Sequence, residues 1–258
     1  MQRFLRIAIV ILVLAVFSST AHSISLIRYQ GSPAIAKFIE TASNVYLKST
    51  FTTNVLTKSK GGGECLSNGS CDIGGVANEL DPTILEKSRK AVLIGMDSVV
   101  VIVHDDNPVE ILSIEQLRKI FSGEIKNWKE LGGFDQLIEP VVTSPISATQ
   151  ELFKKLVMNK SSFHAKVMEP DSSILLHVAR NRGAIGLTSH FMINPPQGVK
   201  AVKPNGEEVN LSNANYPLLR PLYLITNDPP RQDVQQFLDW VVSDEGQSLV
   251  KKYFNGIR

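Results

Sequence analysis

The sequence predicts an α/β fold, because segments with strand-like and helix-like patterns alternate along most of its 258 residues. The clearest strand covers residues 98–104, a run that is almost entirely apolar and β-branched. Such runs are typical of strands that are buried on both faces of a parallel-type sheet. We find no internal repeat and no low-complexity linker in the sequence. If the chain forms two lobes, it must therefore cross between them in extended strands.

The elements are predicted in order along the chain. Strands are predicted at residues 24–29, 51–57, 72–74, 98–104, 137–142, 184–187, 199–203 and 222–226. Helices are predicted at residues 34–47, 61–68, 147–158, 172–180, 231–242 and 245–253. A further helix begins after Ser113, because Gln116 follows in the pattern of a capping box, and Gly123 stands where its carboxyl-terminal cap belongs. The apolar residues of this helix share one face: Ile114, Leu117, Ile120 and Phe121.

Residues 1–23 predict a secretory signal peptide. Arg3 and Arg6 precede an unbroken apolar stretch of 11 residues, and Ala21 and Ser23 occupy the positions that a signal peptidase prefers. The alternative is a membrane anchor, but a membrane span needs about 20 apolar residues. No cysteine lies near the expected cleavage site, so a lipid anchor is not expected. We therefore predict a free periplasmic or secreted protein.

The chain that remains after cleavage has no net charge. Residues 1–23 hold two of the 27 Lys and Arg residues and none of the 25 Asp and Glu residues. The charge therefore gives no support for nucleic-acid binding, and no nucleic-acid partner is expected. Cys65 and Cys71 are the only cysteines, and an even count in an oxidising compartment favours a disulfide that closes a small loop. Two free buried thiols are the alternative.

The sequence contains no motif that indicates catalysis. It has no Gly-x-Ser-x-Gly elbow, no His-Glu-x-x-His helix and no P-loop. The histidines are dispersed and none lies near the cysteines in sequence, so no metal site and no cofactor are expected. The acidic loops at Asp105, Asp106 and Asp228 are more typical of solvated turns than of an acid–base pair. We therefore do not expect an enzyme.

Residues 106–133 read DNPVEILSIEQLRKIFSGEIKNWKELGG. This segment resembles the second lobe of phosphate-type solute-binding proteins, the soluble receptors of bacterial uptake transporters, which carry a similar NP…EQL..IFSG.I.NW…GG pattern. Residues 180–187 and 217–254 also resemble that family. The resemblance implies a two-lobed, type II periplasmic-binding-protein-like fold whose lobes are joined by crossing hinge strands. By analogy, lobe 1 takes residues 24–100 plus 222–258, and lobe 2 is inserted at residues 101–221.

Three strand-to-helix junctions are candidate anion sites, because helix starts present unpaired backbone N–H groups and the positive end of the helix dipole. At the first junction, Ser32 is a candidate N-cap with Pro33 at the first helical position. The second junction is residues 59–63, which precede the second helix. At the third, residues 144–150, Ser147 and Gln150 have the spacing of a capping box. The junctions also fit the binding loops of the family. The predicted ligand-binding residues are Ser32, Pro33, Ser59, Lys60, Asn78, Ser147, Ala148 and Thr149.

The sequence departs from the family pattern at two positions of the site. Thr143 stands where the family usually has an arginine, and Ala77 lies where it has a polar group. A hydrogen bond to a charged group contributes about 1.5–3 kcal/mol, so losing two would weaken affinity by roughly 10²–10⁴-fold. Lys58, Lys60 or Arg182 could supply a replacement charge. Otherwise the ligand is held by dipoles and hydroxyl groups alone, or it is not phosphate.

The resemblance implies a protein that captures phosphate or a related small oxyanion and delivers it to the membrane permease of an ABC transporter. We expect it to be a monomer. The alternative is a stand-alone sensory or interaction module of the same fold, in which ligand binding has been weakened or altered. The departures at Thr143 and Ala77 favour that alternative.

Overall fold

The computed structural model of the chain describes residues 24–86, 88–193 and 198–257, so the predicted signal peptide lies outside the described residues. The strands are β1 (Ser25–Gly31), β2 (Ser49–Asn54), β3 (Ile73–Val76), β4 (Arg89–His104), β5 (Ile111–Leu112), β6 (Glu139–Val142), β7 (Lys166–Val167), β8 (Ala184–Ser189), β9 (Val199–Ala201), β10 (Lys203–Pro204), β11 (Leu219–Asn227) and β12 (Asn255–Gly256). The helices are α1 (Pro33–Ala42), α2 (Lys58–Glu64), α3 (Pro82–Leu85), α4 (Ile114–Phe121), α5 (Ala148–Phe153), α6 (Ser172–Arg180), α7 (Gln232–Val242) and α8 (Asp244–Val250).

The main sheet consists of two parallel blocks that are joined by two long antiparallel strands. Its order is β2-β1-β3-β11-β4-β8-β6-β7, and β9 and β12 also pair with β4. Strands β1, β2 and β3 are mutually parallel, as are β6, β7 and β8. The first part of β4, residues 89–98, pairs with β11, and residues 99–103 pair with β8. The chain therefore crosses between the two blocks in extended strands, as predicted.

Each block has a hydrophobic core of its own. The first core packs α1, α7 and α8 against β1 and β3, and its largest buried side chains include Phe38, Phe237 and Phe254. The second core packs α4 and α5 against β6, β8 and the second part of β4, around Phe121 and Phe153. Separate cores bridged by β4 and β11 confirm the predicted two-lobed α/β fold. The residue boundaries of the two lobes stay a prediction.

Helix α4 begins as its sequence predicts. Gln116 N donates to Ser113 Oγ at 3.0 Å, and Ser113 N donates to Gln116 Oε1 at 2.7 Å, so the capping box is formed. Gly123 follows the helix with φ 77°, in the left-handed region that favours glycine. Burial of Leu117 and Ile120 confirms the predicted apolar face. Here local sequence signals alone are sufficient to place both helix ends.

Several predicted boundaries were wrong. Strand β4 begins at residue 89 rather than 98, because its first part is half-exposed and lacks the continuous apolar pattern of its second part. Helix α2 begins at Lys58, three residues before the predicted start. The predicted helix 147–158 is α5 followed by a π-helical turn at Lys154–Met158. The predicted capping box at its start is not formed: Ser147 Oγ accepts from Thr149 N at 3.4 Å, while Gln150 is buried.

The predicted disulfide between Cys65 and Cys71 is confirmed. Both cysteines are buried, and the bond ties the end of α2 to the segment that enters β3. It therefore fixes the loop between α2 and β3. Across the ranges 24–86, 88–193 and 198–257, no helix combines the length and the apolar character needed to cross a membrane.

Candidate ligand-binding site

A cavity of about 250 Å³ is lined by the first residues of four helices, two from each lobe: Pro33 and Ala34 of α1, Lys58 and Ser59 of α2, Ala148 and Thr149 of α5, and Ser172 of α6. The parallel strands explain this convergence. Helices α1 and α2 follow β1 and β2, and helices α5 and α6 follow β6 and β7. Helices that follow parallel strands begin at the same edge of a sheet, where α/β proteins bind their ligands.

The helix starts give the cavity hydrogen-bond donors and a positive electrostatic potential. The first N–H groups of a helix have no partner within it, and the helix dipole is positive at that end. Ser32 is the N-cap of α1 and Pro33 its first residue, as predicted. Ser147 is the N-cap of α5. Together these features make the cavity suited to an anion.

Buried hydroxyl groups add further donors. Ser59 Oγ accepts a hydrogen bond from Ala77 N at 3.2 Å, and Thr149 Oγ1 accepts one from Arg220 Nη1 at 3.0 Å. Since each oxygen already accepts a bond from the protein, its hydroxyl hydrogen can point toward a ligand. Five more residues that carry hydroxyl groups line the cavity: Ser32, Thr143, Ser147, Thr188 and Ser189. Two of them, Thr143 and Ser189, donate their hydroxyl hydrogens to Asp171 and Asp97.

Lys58 extends its side chain from lobe 1 to lobe 2. Lys58 is buried, with 6% of its surface exposed. Its backbone φ is 51°, an uncommon value for a residue other than glycine. The ammonium nitrogen Nζ lies close to four oxygen atoms: Thr143 Oγ1 at 2.9 Å, Ser144 Oγ at 3.0 Å, Glu169 Oε1 at 3.0 Å and Asp171 Oδ1 at 2.7 Å. The pKa of the Glu169 carboxyl group is lowered, mainly by a hydrogen bond from Ser144 and next by the hydrogen bond from Lys58.

A buried ion pair lies against the cavity on the crossing strands. Arg220 of β11 and Asp97 of β4 are directly opposite each other in the antiparallel register. Arg220 Nη2 donates to Asp97 Oδ2 at 2.6 Å, and both side chains are almost fully buried. Ser189 Oγ donates to the second oxygen, Asp97 Oδ1, at 3.0 Å. Through its remaining bond to Thr149, Arg220 connects the crossing strands to the start of α5.

Sequence reasoning did not identify Arg220, Asp97, Glu169 or Asp171 as site residues. A signal was present for the ion pair, because Asp97 and Arg220 each interrupt a strongly apolar strand with a charge. Charged residues in such strands are rarely buried unless they are paired. For Glu169 and Asp171 we find no comparable signal, because they lie in a loop.

The structure brings six of the eight predicted ligand-binding residues to this cavity: Ser32, Pro33, Ser59, Ser147, Ala148 and Thr149. It does not bring Lys60 and Asn78 there; both line a neighbouring depression. Successive helical residues are rotated by about 100°, so Lys60 faces away from the side on which Lys58 lies. Of the other candidate cations, Arg182 is exposed and pairs with Asp106 rather than with a cavity residue.

A cavity formed by converging helix starts, between two α/β lobes that are bridged by crossing strands, defines the class of two-lobed binding proteins. In agreement with this, residues 19–245 match the family model described as the PBP superfamily domain, and the chain belongs to that family.

The similar proteins are consistent with this class. The phosphate-binding protein PstS of Bacillus subtilis (strain 168) is 27% identical over 234 residues, covering 85% of this chain and 76% of that protein. PstS of Pseudomonas aeruginosa PAO1 is 27% identical over 221 residues, covering 72% and 68%. A crystal structure of a substrate-binding protein with bound phosphate from Clostridium perfringens superposes with a TM-score of 0.81 at 26% identity, covering 91% of this chain and 100% of that chain.

Proposed function

We propose that this chain is an extracytoplasmic solute-binding protein that captures phosphate or a related small oxyanion for an ABC transporter. One observation carries the proposal: the starts of α1, α2, α5 and α6 and a set of buried hydroxyl groups converge on one cavity between the lobes. The relatives named phosphate-binding protein PstS and the phosphate-bound neighbour support it. Ser32, Ser59, Ser147, Ala148 and Thr149 would hold the anion.

Binding in this cavity relies on hydrogen-bond donors more than on net charge. Among the residues that the structure describes, the cations that line it are Lys58 and Arg220, and both are paired with carboxylates of the protein. Backbone N–H groups at the helix starts and the hydroxyl groups of Ser59 and Thr149 would therefore surround the oxygen atoms of the ligand. Within each lobe such donors are fixed by the fold, so the donors of one lobe need little rearrangement among themselves when the anion enters.

Ligand capture would close the two lobes around the anion. We propose lobe 1 in residues 24–100 plus 222–258 and lobe 2 in residues 101–221, with β4 and β11 as the hinge strands. Hinge closure around a ligand is common in periplasmic binding proteins, and the closed form would present its surface to the permease. With the predicted signal peptide removed, the protein would act as a monomer in the periplasm or outside the cell, and not as an enzyme.

Thermal unfolding of residues 24–258 in the presence of different oxyanions tests the proposal. A ligand at 100 times its Kd stabilises the folded state by about 2.7 kcal/mol. For a protein of this size, that corresponds to a rise in Tm of roughly 5–10 °C. We expect millimolar phosphate to produce such a rise and a non-binding anion, such as chloride at equal ionic strength, to produce none. An unchanged Tm with every oxyanion would contradict the proposal.

A stand-alone sensory or interaction module of the same fold is the second candidate function. It is favoured by the pairing of Lys58 with Glu169 and Asp171, which leaves the ammonium charge neutralised by the protein itself. In that case no oxyanion would raise the Tm, while the protein would remain folded and bind a macromolecular partner. The same unfolding experiment therefore separates the two candidates.

A further inference from the structure

The hydrogen bonds of Lys58 connect the two lobes across the cavity. Lys58 is the first residue of α2, in lobe 1. All four of its partners belong to lobe 2: Thr143 and Ser144 follow β6, and Glu169 and Asp171 lie between β7 and α6. We refer to Lys58, Glu169 and Asp171 as the interlobe clasp. Every one of these partners is a protein group, so the clasp joins the two lobes through protein atoms.

The clasp forms only when the lobes are close together. The ammonium group carries three hydrogens, and its four acceptors lie within 2.7–3.0 Å of Nζ. Moving the lobes apart by a few ångströms would break all of these bonds at once. A buried ammonium group without carboxylate partners is strongly disfavoured. Opening must therefore also bring Lys58 into water.

The backbone of Lys58 supports this interpretation. Its φ of 51° lies in the left-handed region, which disfavours residues with a side chain. Such conformations persist where surrounding contacts determine them. Lys58 contacts lobe 2 through its four hydrogen bonds, while Lys60, two residues later in the same helix, lines the neighbouring depression.

From this geometry we propose that Lys58 is a positioning residue, which holds the two lobes in the closed arrangement through its ion pairs with Glu169 and Asp171. A ligand that binds only the closed arrangement has an apparent affinity that scales with the fraction of molecules already closed. The clasp thus favours ligand capture by raising the fraction of closed molecules. Its effect on affinity rests on the proposed function, whereas its effect on the arrangement of the lobes does not.

The test compares three variants of residues 24–258 by small-angle X-ray scattering in buffer without oxyanions. Lys58→Met keeps the apolar stem and removes the charge, and the double variant Glu169→Gln and Asp171→Asn removes both carboxylates. Lys60→Met is the matched control, because it removes a lysine two residues away that does not line the cavity. We expect a larger radius of gyration for the first two variants, and an unchanged radius for the control.

Calorimetric titration with inorganic phosphate provides the second readout. We expect the Kd of Lys58→Met and of the double variant to rise by roughly 10- to 100-fold, in line with a smaller closed fraction. If Lys58 acted only by contacting the anion, removing the carboxylates would free its charge. The double variant would then bind phosphate more tightly and keep the wild-type radius of gyration, which would overturn the proposal.

The scattering result decides the proposal even if neither the wild type nor any variant binds phosphate. A wild-type protein that is as expanded as the variants would overturn it. If Lys58→Met does not fold, as judged by circular dichroism, the double variant decides, because it preserves the shape of each side chain. Failure of the clasp and failure of the proposed function are therefore distinguishable.

Discussion

Replacing Thr149 by valine tests whether the start of α5 holds the anion, because the two side chains have nearly the same shape. The substitution removes Thr149 Oγ1, which can bond both to the Arg220 side chain and to a ligand. Thr149 Oγ1 accepts the hydrogen bond of Arg220 Nη1 at 3.0 Å, and its hydrogen is available to a ligand in the cavity. Both residues are buried, at 6% and 3% exposure. The variant should therefore change both the stability of the protein and its affinity for the ligand, and the two changes can be measured separately.

The stability effect follows from the lost acceptor. A buried donor left without a partner costs about 1–3 kcal/mol, which lowers the Tm of a protein of this size by roughly 2–12 °C. The binding effect follows from one lost hydrogen bond to a charged ligand, about 1.5–3 kcal/mol, or a roughly 10- to 150-fold increase in Kd. Thermal unfolding without oxyanions measures the first effect, and calorimetric titration with phosphate measures the second.

Thr149→Ser is the matched control, since it keeps the hydroxyl group and removes only the methyl group. We expect it to bind phosphate within about threefold of the wild type, because the hydrogen bond that the ligand would receive is retained. If Thr149→Val binds phosphate as tightly as the wild type does, the anion is not held at the start of α5. If Thr149→Ser loses as much affinity as Thr149→Val, the loss cannot be assigned to the hydroxyl group, because serine retains it, and the role given to Thr149 Oγ1 would be contradicted.

Three further predictions concern stability. Replacing Cys65 and Cys71 together by alanine should lower the free energy of unfolding by about 2.4 kcal/mol, as expected for a closed loop of seven residues, and denaturant titration would contradict this if the midpoint did not move. Hydrogen bonds from Arg231 lower the pKa of Asp233 to about 2, below its ordinary value near 4. Asp233→Asn should therefore reduce the Tm above pH 4, the difference should vanish as the pH falls toward 2, and parallel Tm curves would contradict this. Trp128→Phe should cost about 1–3 kcal/mol, because Trp128 Nε1 donates to a buried backbone carbonyl at 3.1 Å, and an unchanged denaturation midpoint would show that this bond contributes nothing.

The features that were predicted correctly from the sequence are those that depend on neighbouring residues. The capping box of Ser113 and Gln116 spans three positions, and the disulfide spans six. The same holds for the site: Ser32 and Ser147 were placed at helix starts by their local context. Interactions of this kind depend on a few residues that are close together in the chain, so they can be predicted from a single sequence.

The features that were missed depend on the register of distant segments. The ion pair of Asp97 and Arg220 joins residues 123 positions apart, and it exists because β4 and β11 pair in one particular register. The partners of Lys58 lie 85 to 113 positions away. Sequence reasoning named Lys58, Lys60 and Arg182 as candidates for the charge at the site, and it placed Lys60, not Lys58, among the ligand-binding residues. Only the start and rotation of α2, which began three residues earlier than predicted, distinguish the two lysines.

Isothermal titration calorimetry of residues 24–258 with inorganic phosphate is the most direct measurement of the proposed function. We expect saturable binding of one phosphate per chain, and we expect the heat to be strongly reduced when Ser147 and Thr149 are both replaced, by alanine and valine, in a protein that remains folded. The absence of any heat at millimolar phosphate would contradict phosphate capture. Unchanged binding in the double variant would contradict the site.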